Sequence, residues 1–391
     1  MRKVCIVGLD GVNYQIIRLL SNALQLSNVT DILCKGIIFS PISIPPYTPT
    51  AWTSIFTGVN PGKHGIYGFY NVQKFRDTFK IRLSNSYTVK YPRIFEMLAM
   101  YKAKSIVINA PLTYPVQGVI GHSNMVIVSD WASPRQFIYP KHYETKFQHY
   151  LSTPPHSWWA CADDEYYRFV SKYSEVRTNL YLELLEEDFQ LFIVIISELD
   201  WLFHRYPRTL VGEGLDKLYK VASLINNLFK KLREVCDLII VVSDHGFEIA
   251  HYVFNINMLL ALKGLTSYEY LPAPSKILRL FSIKPTQSTI QRLSQRKSLT
   301  KHRMLDHIAK ASARMLKKIM PLYIVNTHSK YIPIHVAMNF SNSKAFMIEC
   351  ESWSLYVEDK YLNTTVNLAK RSGLIKELLV KHELFWGPYT N

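Results

Sequence analysis

Four short apolar runs punctuate the chain, each bounded by turn residues: Lys3–Gly8, Ser105–Asn109, Leu191–Ser197 and Leu238–Ser243. None alternates apolar with polar positions, so they read as strands buried on both faces of a parallel sheet. Helical periodicity fills the intervals, at Tyr14–Leu24, Tyr91–Tyr101, Asp164–Leu185 and Leu215–Val235. Strand alternating with helix predicts a doubly wound α/β architecture. Two stretches, Tyr67–Lys90 and Pro115–Asp163, are rich in aromatics, Pro, Ser and Asn and read as excursions from the sheet. After a Pro-containing connector at Tyr268–Pro274 the pattern becomes basic and helical, and from Tyr331 it mixes short strand-like runs with one helix near Leu374–Val380. The expected organisation is a core at 1–265, a basic helical cap at 266–330 and a return segment to the core at 331–391.

Composition narrows the class. The 391 residues are 48% hydrophobic and 13% aromatic, enough apolar surface to offset the entropy of folding, so disorder is excluded as the dominant state. The five cysteines (Cys5, Cys34, Cys161, Cys236, Cys350) are odd in number and never spaced C-x-x-C. That suits a reducing compartment better than a disulfide scaffold. The opening apolar run is short and ends at Asp10, unlike a signal peptide, and no run of 18 apolar residues is present. A soluble cytoplasmic protein is expected.

The net charge of +16 is concentrated, with +11 of it in Lys276–Lys318. That segment holds one aromatic residue, Phe281, so it lacks the stacking platforms of a single-strand binder. Its last part, RMLDHIAKASARMLKKIM, is an amphipathic helix with a basic face. Solvation of that face or steering of an anionic substrate is favoured over contact with nucleic acid or a membrane surface.

Three of the apolar runs end in aspartate: KVCIVGLD at Asp10, LFIVIISELD at Asp200 and LIIVVSD at Asp244. Ligands of open α/β sheets bind beyond the carboxyl ends of the strands, so parallel strands would bring the three carboxylates to one edge. His245 follows Asp244 directly, and His204 lies four residues after Asp200, on the same face of a helical turn. Carboxylates mixed with imidazoles suit zinc or another first-row divalent ion better than calcium. A single Asp at such a junction is more often a helix cap; the conjunction of three with two histidines is what points to a site. In PPYTPTAWTSIFTGVNPGKHGIYGF, Thr48 before Pro49 reads as the N-cap of a helix closed near Gly58, where free N–H groups favour a phosphate.

These segments together resemble the type I phosphodiesterase/nucleotide pyrophosphatase family of the alkaline phosphatase superfamily. GLDGV, TPTAWTSIFTGVNPGKHGIYGF, INAPLTYP, ELDWLFH and VVSDHGF stand in the family's order over about residues 3–247, in the manner of its archaeal-type members. The resemblance implies an alkaline-phosphatase-like mostly parallel sheet with helices on both faces. It also implies metal-dependent hydrolysis of phosphodiester or nucleotide pyrophosphate bonds in a small anionic substrate, through a covalent intermediate on Thr48. By position, one metal would be held by Asp10, Thr48, Asp244 and His245, and a second by Asp200 and His204 with one further histidine. Zinc is the ion expected from the ligand types, with manganese the competitor.

The family's third ligand of the second site follows a stretch like ELFWGPYTN, with which this sequence closes, so that segment is expected to be lacking. His251, His328, His335 and His382 are the histidines left to replace it. Ala51 stands where animal-type relatives place Asn, which leaves Asn109 or backbone N–H groups after Thr48 as candidate donors to the phosphoryl oxygen. His64 reads as structural. The rival readings are a phosphotransferase to an alcohol acceptor and an impaired relative that binds phosphorylated ligands or polyanions.

Overall fold

A computed structural model describes residues 2–75, 78–116, 124–133, 136–148, 150, 161–252, 254–270, 336–349 and 352–390. In chain order the elements are β1 (Val4–Leu9), α1 (Tyr14–Ala23), α2 (Ser27–Lys35), α3 (Thr48–Thr57), α4 (Pro61–His64), β2 (Tyr70–Phe75), β3 (Thr78–Leu83), α5 (Ile94–Met100), β4 (Ser105–Ile108), β5 (Met125–Val128) and β6 (Ile138–Tyr139). They continue with α6 (His142–Lys146), α7 (Asp163–Leu184), β7 (Leu191–Ile196), α8 (Glu198–Arg205), α9 (Asp216–Val235), β8 (Leu238–Val242), α10 (Ile256–Leu262), β9 (Tyr268–Tyr270) and β10 (Val336–Met338). The basic segment 276–318, and with it nearly all of the expected cap, lies outside the described residues.

Six strands form the central sheet in the order β6-β5-β4-β7-β1-β8, all parallel except β6. The register pairs Leu9 of β1 with Ile196 of β7 and Gly8 with Val242 of β8, so Asp10, Ser197 and the turn after Val242 emerge side by side. Helices cover both faces, as expected of an α/β sheet. On one face α1, α2, α7, α8 and α9 share a core. Helix α9 shows how the sequence builds it: Leu218, Val221, Ala222, Ile225, Leu228, Phe229 and Leu232 recur at helical spacing and are all buried. On the other face Trp52 and Phe56 of α3 and Phe95 and Ala99 of α5 pack on the sheet. A Cβ at Gly8 would stand 2.4 Å from the Trp52 ring, so this glycine lets α3 lie directly on β1.

Four expectations are corrected. The helix expected near Leu374–Val380 lies instead at Leu362–Arg371, and residues 375–380 form no regular element. The stretch Pro115–Asp163 is not purely an excursion: Met125–Val128 is a fully buried strand, too short and too enclosed by Pro and Ser to show in the pattern. Strand β8 is apolar but not buried on both faces. Leu238 is 52% exposed and Ile240 42%, because among the described residues β8 is the edge of the sheet. Cys5 and Cys236 are joined by a disulfide between residues 231 apart in sequence, while Cys34 and Cys161 are free. Among the described residues no helix is long and apolar enough to cross a membrane.

The sheet belongs to one compact unit, residues 1–69, 84–252 and 380–391. The second unit comprises residues 70–83 and 253–379. Its described part holds the β2–β3 hairpin, the antiparallel pair β9 and β10, and a core around Ile81, Met338, Phe346 and Ile348.

Candidate active site

All six residues singled out from the sequence meet in one chain of contacts past the carboxyl ends of β1, β7 and β8. Asp10, Asp200 and His245 each offer a ligand atom, and these atoms lie within 4.8 Å of one another. The Nε2 atom of His245 lies 3.6 Å from Asp10 Oδ1, 3.4 Å from Asp244 Oδ2 and 3.2 Å from Thr48 Oγ1. His204 Nε2 lies 3.7 Å from Asp200 Oδ1 on the next turn of α8.

Local structure explains each placement. The turn after β1 needs Gly11 at φ +69°, where a Cβ would collide with the Phe247 ring 2.4 Å away. That turn directs the Gly11 N–H to Asp244 Oδ1 at 3.2 Å. Ser197 donates to Asp10 Oδ2 at 2.7 Å. Phe247 packs its ring against the imidazoles of both His204 and His245, with centroids 4.8 and 5.9 Å apart. Ser197 and Phe247 were missed in the sequence. Phe247 had only its position after DHG as a signal, and Ser197 had none.

Thr48 differs from expectation in one respect. The N-cap of α3 is Tyr47, and Thr48 is the first helical residue, because the N–H groups of both Thr50 and Ala51 bond to the Tyr47 carbonyl. The Thr48 hydroxyl is therefore not used as a cap and is left to face His245. The helix closes on Gly58 at φ +67°, as expected. His64 supports α3 from below. Fully buried, its Nδ1 accepts the Ile66 N–H at 3.1 Å, so Nε2 carries the proton and donates to Ser54 Oγ at 2.9 Å. Burial pulls the His64 pKa down to about 4, so it is a neutral strut.

Asn109 is withdrawn as a phosphoryl donor. Its Nδ2 donates to Tyr181 Oη at 2.8 Å and to the Ile195 carbonyl at 3.2 Å, and its Oδ1 accepts from Tyr150. Both of its N–H groups are spent inside the protein. Among the described residues no histidine takes the place of the third ligand expected for a second metal ion. His251 and His382 are exposed and join no metal-type group, and His328 and His335 lie outside the described residues.

The donor set fits a divalent cation. Asp10 and Asp244 are buried, yet Asp10 Oδ1 and Asp244 Oδ2 have no hydrogen-bond partner. Both unpartnered oxygens face His245 Nε2. His245 Nδ1 lies 3.0 Å from the Gly246 carbonyl, and donation there leaves Nε2 as an acceptor, facing the Thr48 hydroxyl at 3.2 Å. Burial, together with the neighbouring Asp10 charge, pushes Asp244 well above the ordinary carboxylate range. Two facing carboxylates and an imidazole lone pair repel one another unless a proton or a cation lies between them.

Residues 4–374 match the model of the family described as Type I phosphodiesterase / nucleotide pyrophosphatase. Among solved structures, the chain is similar to phosphonoacetate hydrolase from Sinorhizobium meliloti 1021. In complex with phosphonoformate that enzyme aligns with TM-score 0.51 and 16% identity, over 80% of this chain and 77% of its own. In complex with phosphonoacetate it aligns with TM-score 0.50 and 15% identity, over 88% and 81%. No curated protein matches the chain.

Proposed function

Since the chain belongs to the type I phosphodiesterase/nucleotide pyrophosphatase family, we propose that it hydrolyses phosphodiester or nucleotide pyrophosphate bonds of a small anionic substrate with Thr48 as nucleophile. The observation that carries this reading is the pair of unpartnered oxygens on Asp10 and Asp244 beside His245, with the Thr48 hydroxyl on the same imidazole nitrogen.

Asp10, Asp244, His245 and Thr48 would hold one divalent ion, and Asp200 and His204 a second, with zinc or manganese suited to this mixture of oxygen and nitrogen donors. Such ions supply Lewis-acid polarisation of the phosphoryl group and lower the pKa of a bound hydroxyl. The chain's own part is to place the nucleophile. Helix α3 presents Thr48 Oγ1 at its N-terminal end, where the helix dipole favours the negative charge of a phosphoryl group. Oγ1 forms the bond to phosphorus as the bond to the leaving oxygen breaks. Water then cleaves the threonine ester and restores the hydroxyl, so one water is consumed per turnover.

The test is hydrolysis of bis-p-nitrophenyl phosphate by metal-stripped protein with Zn²⁺ or Mn²⁺ returned, and Thr48→Ala in parallel. Metal-dependent turnover that falls by about 10⁴-fold or more in the variant is the expected result. Turnover that survives the substitution would rule out Thr48 as nucleophile. A folded protein that turns over with neither ion would favour the impaired-relative reading.

A further inference from the structure

Beneath the carboxylates lies a second polar layer that the catalytic reading does not use. Arg177 of α7 is fully buried, and its Nε lies 3.1 Å from Oε1 of Glu198, also buried. The guanidinium donates through Nη1 to Tyr173 Oη at 2.7 Å and through Nε to Tyr181 Oη at 2.9 Å. Tyr181 receives Asn109 Nδ2, and Asn109, with φ +60° just past β4, also donates to the Ile195 carbonyl of β7. Glu198 is the first residue of α8, between Ser197, which holds Asp10, and Asp200. The layer thus reaches the ends of three neighbouring strands, β4, β7 and β1.

We propose that the Arg177–Glu198 pair is the positioning element of this site: it fixes the first turn of α8 so that Ser197 can hold Asp10 while Asp200 faces His245. Stability does not account for such a pair. A buried ion pair exchanged for neutral side chains of similar volume is often no less stable, since both charges must be desolvated. Here the desolvation is incompletely offset, because Arg177 Nη2 and Glu198 Oε2 have no hydrogen-bond partner. What a neutral pair lacks is direction. A guanidinium held by two tyrosines accepts a carboxylate in a narrow range of orientations, and the orientation passes through two residues of helix to Asp200. Arg177 and Glu198 touch no reacting atom and act through Ser197, Asp10 and Asp200.

The inference rests on the proposed metal site, so the experiment separates the two. Full-length wild type, Arg177→Met/Glu198→Gln and Asp200→Asn are stripped of metal. Their Mn²⁺ and Zn²⁺ dissociation constants are measured by competition with a chromophoric chelator, and their unfolding midpoints on the same metal-free samples. The double variant removes both charges, so neither is left buried alone. It is expected to bind metal about 10-fold or more weakly, as for loss of an outer-shell partner, with a midpoint within about 3 °C of wild type. An unchanged dissociation constant, or weakening that comes only with a lowered midpoint, overturns the positioning role and leaves the pair merely structural. Metal binding by Asp200→Asn equal to wild type would instead remove the site itself, and the inference with it.

Discussion

Strands β5 and β8 end alike in sequence, MVIVSD and LIIVVSD, yet their aspartates are put to opposite uses. Asp130, after β5, is buried with both oxygens engaged: Oδ1 accepts the Ala132 N–H at 2.7 Å, and Oδ2 the Leu112 N–H at 2.9 Å. It closes a turn in which Leu112 takes φ +61°. Asp244, after β8, receives one N–H, from Gly11, and turns its other oxygen without a partner toward His245. A buried carboxylate surrounded by backbone donors is architecture. Two buried carboxylates that face each other across an imidazole are a place for a cation. The difference comes from the neighbours in the sheet, since β1 lies beside β8 and delivers Asp10, whereas β5 lies between β4 and the antiparallel β6.

Substitution at the two positions breaks the comparison most sharply. Asp244→Asn should lower kcat/KM on a chromogenic phosphodiester by at least about 100-fold, more than loss of an outer-shell partner. Asp130→Asn should leave kcat/KM within about 3-fold. Equal losses in the two variants would mean that the unpartnered oxygens have no special role. Metal titration tests the same point through protons. Burial and the Asp10 charge raise the Asp244 pKa, and a cation bound there requires the deprotonated carboxylate. Mn²⁺ binding should therefore release protons, and its affinity should rise with pH. No such release is expected from an Asp244→Asn protein. A smaller effect falls on Ser197→Ala, which removes the donor to Asp10 Oδ2 and should weaken metal binding by about 10-fold.

The smallest effects are on stability alone. Asp130→Asn turns an amide N–H₂ toward backbone donors and should lower stability by about 1–3 kcal/mol, read by denaturant unfolding. Burial raises the Asp130 pKa to about 6 despite its N–H donors. Its contribution is therefore fully present below the ordinary carboxylate pKa and lost as pH rises toward 6. The advantage of wild type over Asp130→Asn should shrink between about pH 4 and 6. His64, pulled down to about 4, has the opposite sign: its contribution is present above the ordinary histidine pKa and lost as pH falls toward 4. The advantage of wild type over His64→Asn should grow over the same interval. Parallel slopes for the two variants would contradict the assigned environments.

Much of the candidate site was legible because its residues mark the ends of periodic runs. Asp10, Asp200 and Asp244 each end an apolar segment, and His204 and His245 stand at helical or adjacent spacing from one of them. Thr48 was legible from Pro49 and Gly58, though its place was one residue off, because N-cap preference alone does not say which carbonyl receives the first helical N–H. Strand β5 was missed because four apolar residues amid Pro and Ser give too short a period. Asn109 was misjudged as a donor to substrate because nothing in its sequence context shows Tyr150 and Tyr181, at separations of 41 and 72 residues.

Sequence alone determined most of the strands and helices of the sheet unit and which chemical groups stand at their ends. Those properties follow from backbone sterics, capping and the periodic burial of apolar side chains, all of which act over a few residues. Only the tertiary structure decided which ends meet. The order β4-β7-β1-β8 placed Asp10 against Asp244 across 234 residues and left their oxygens facing, and it placed Arg177 under Glu198. Solvation and Coulomb forces depend on distance in space and not along the chain, so similar strand ends became a strut in one place and a candidate metal centre in another.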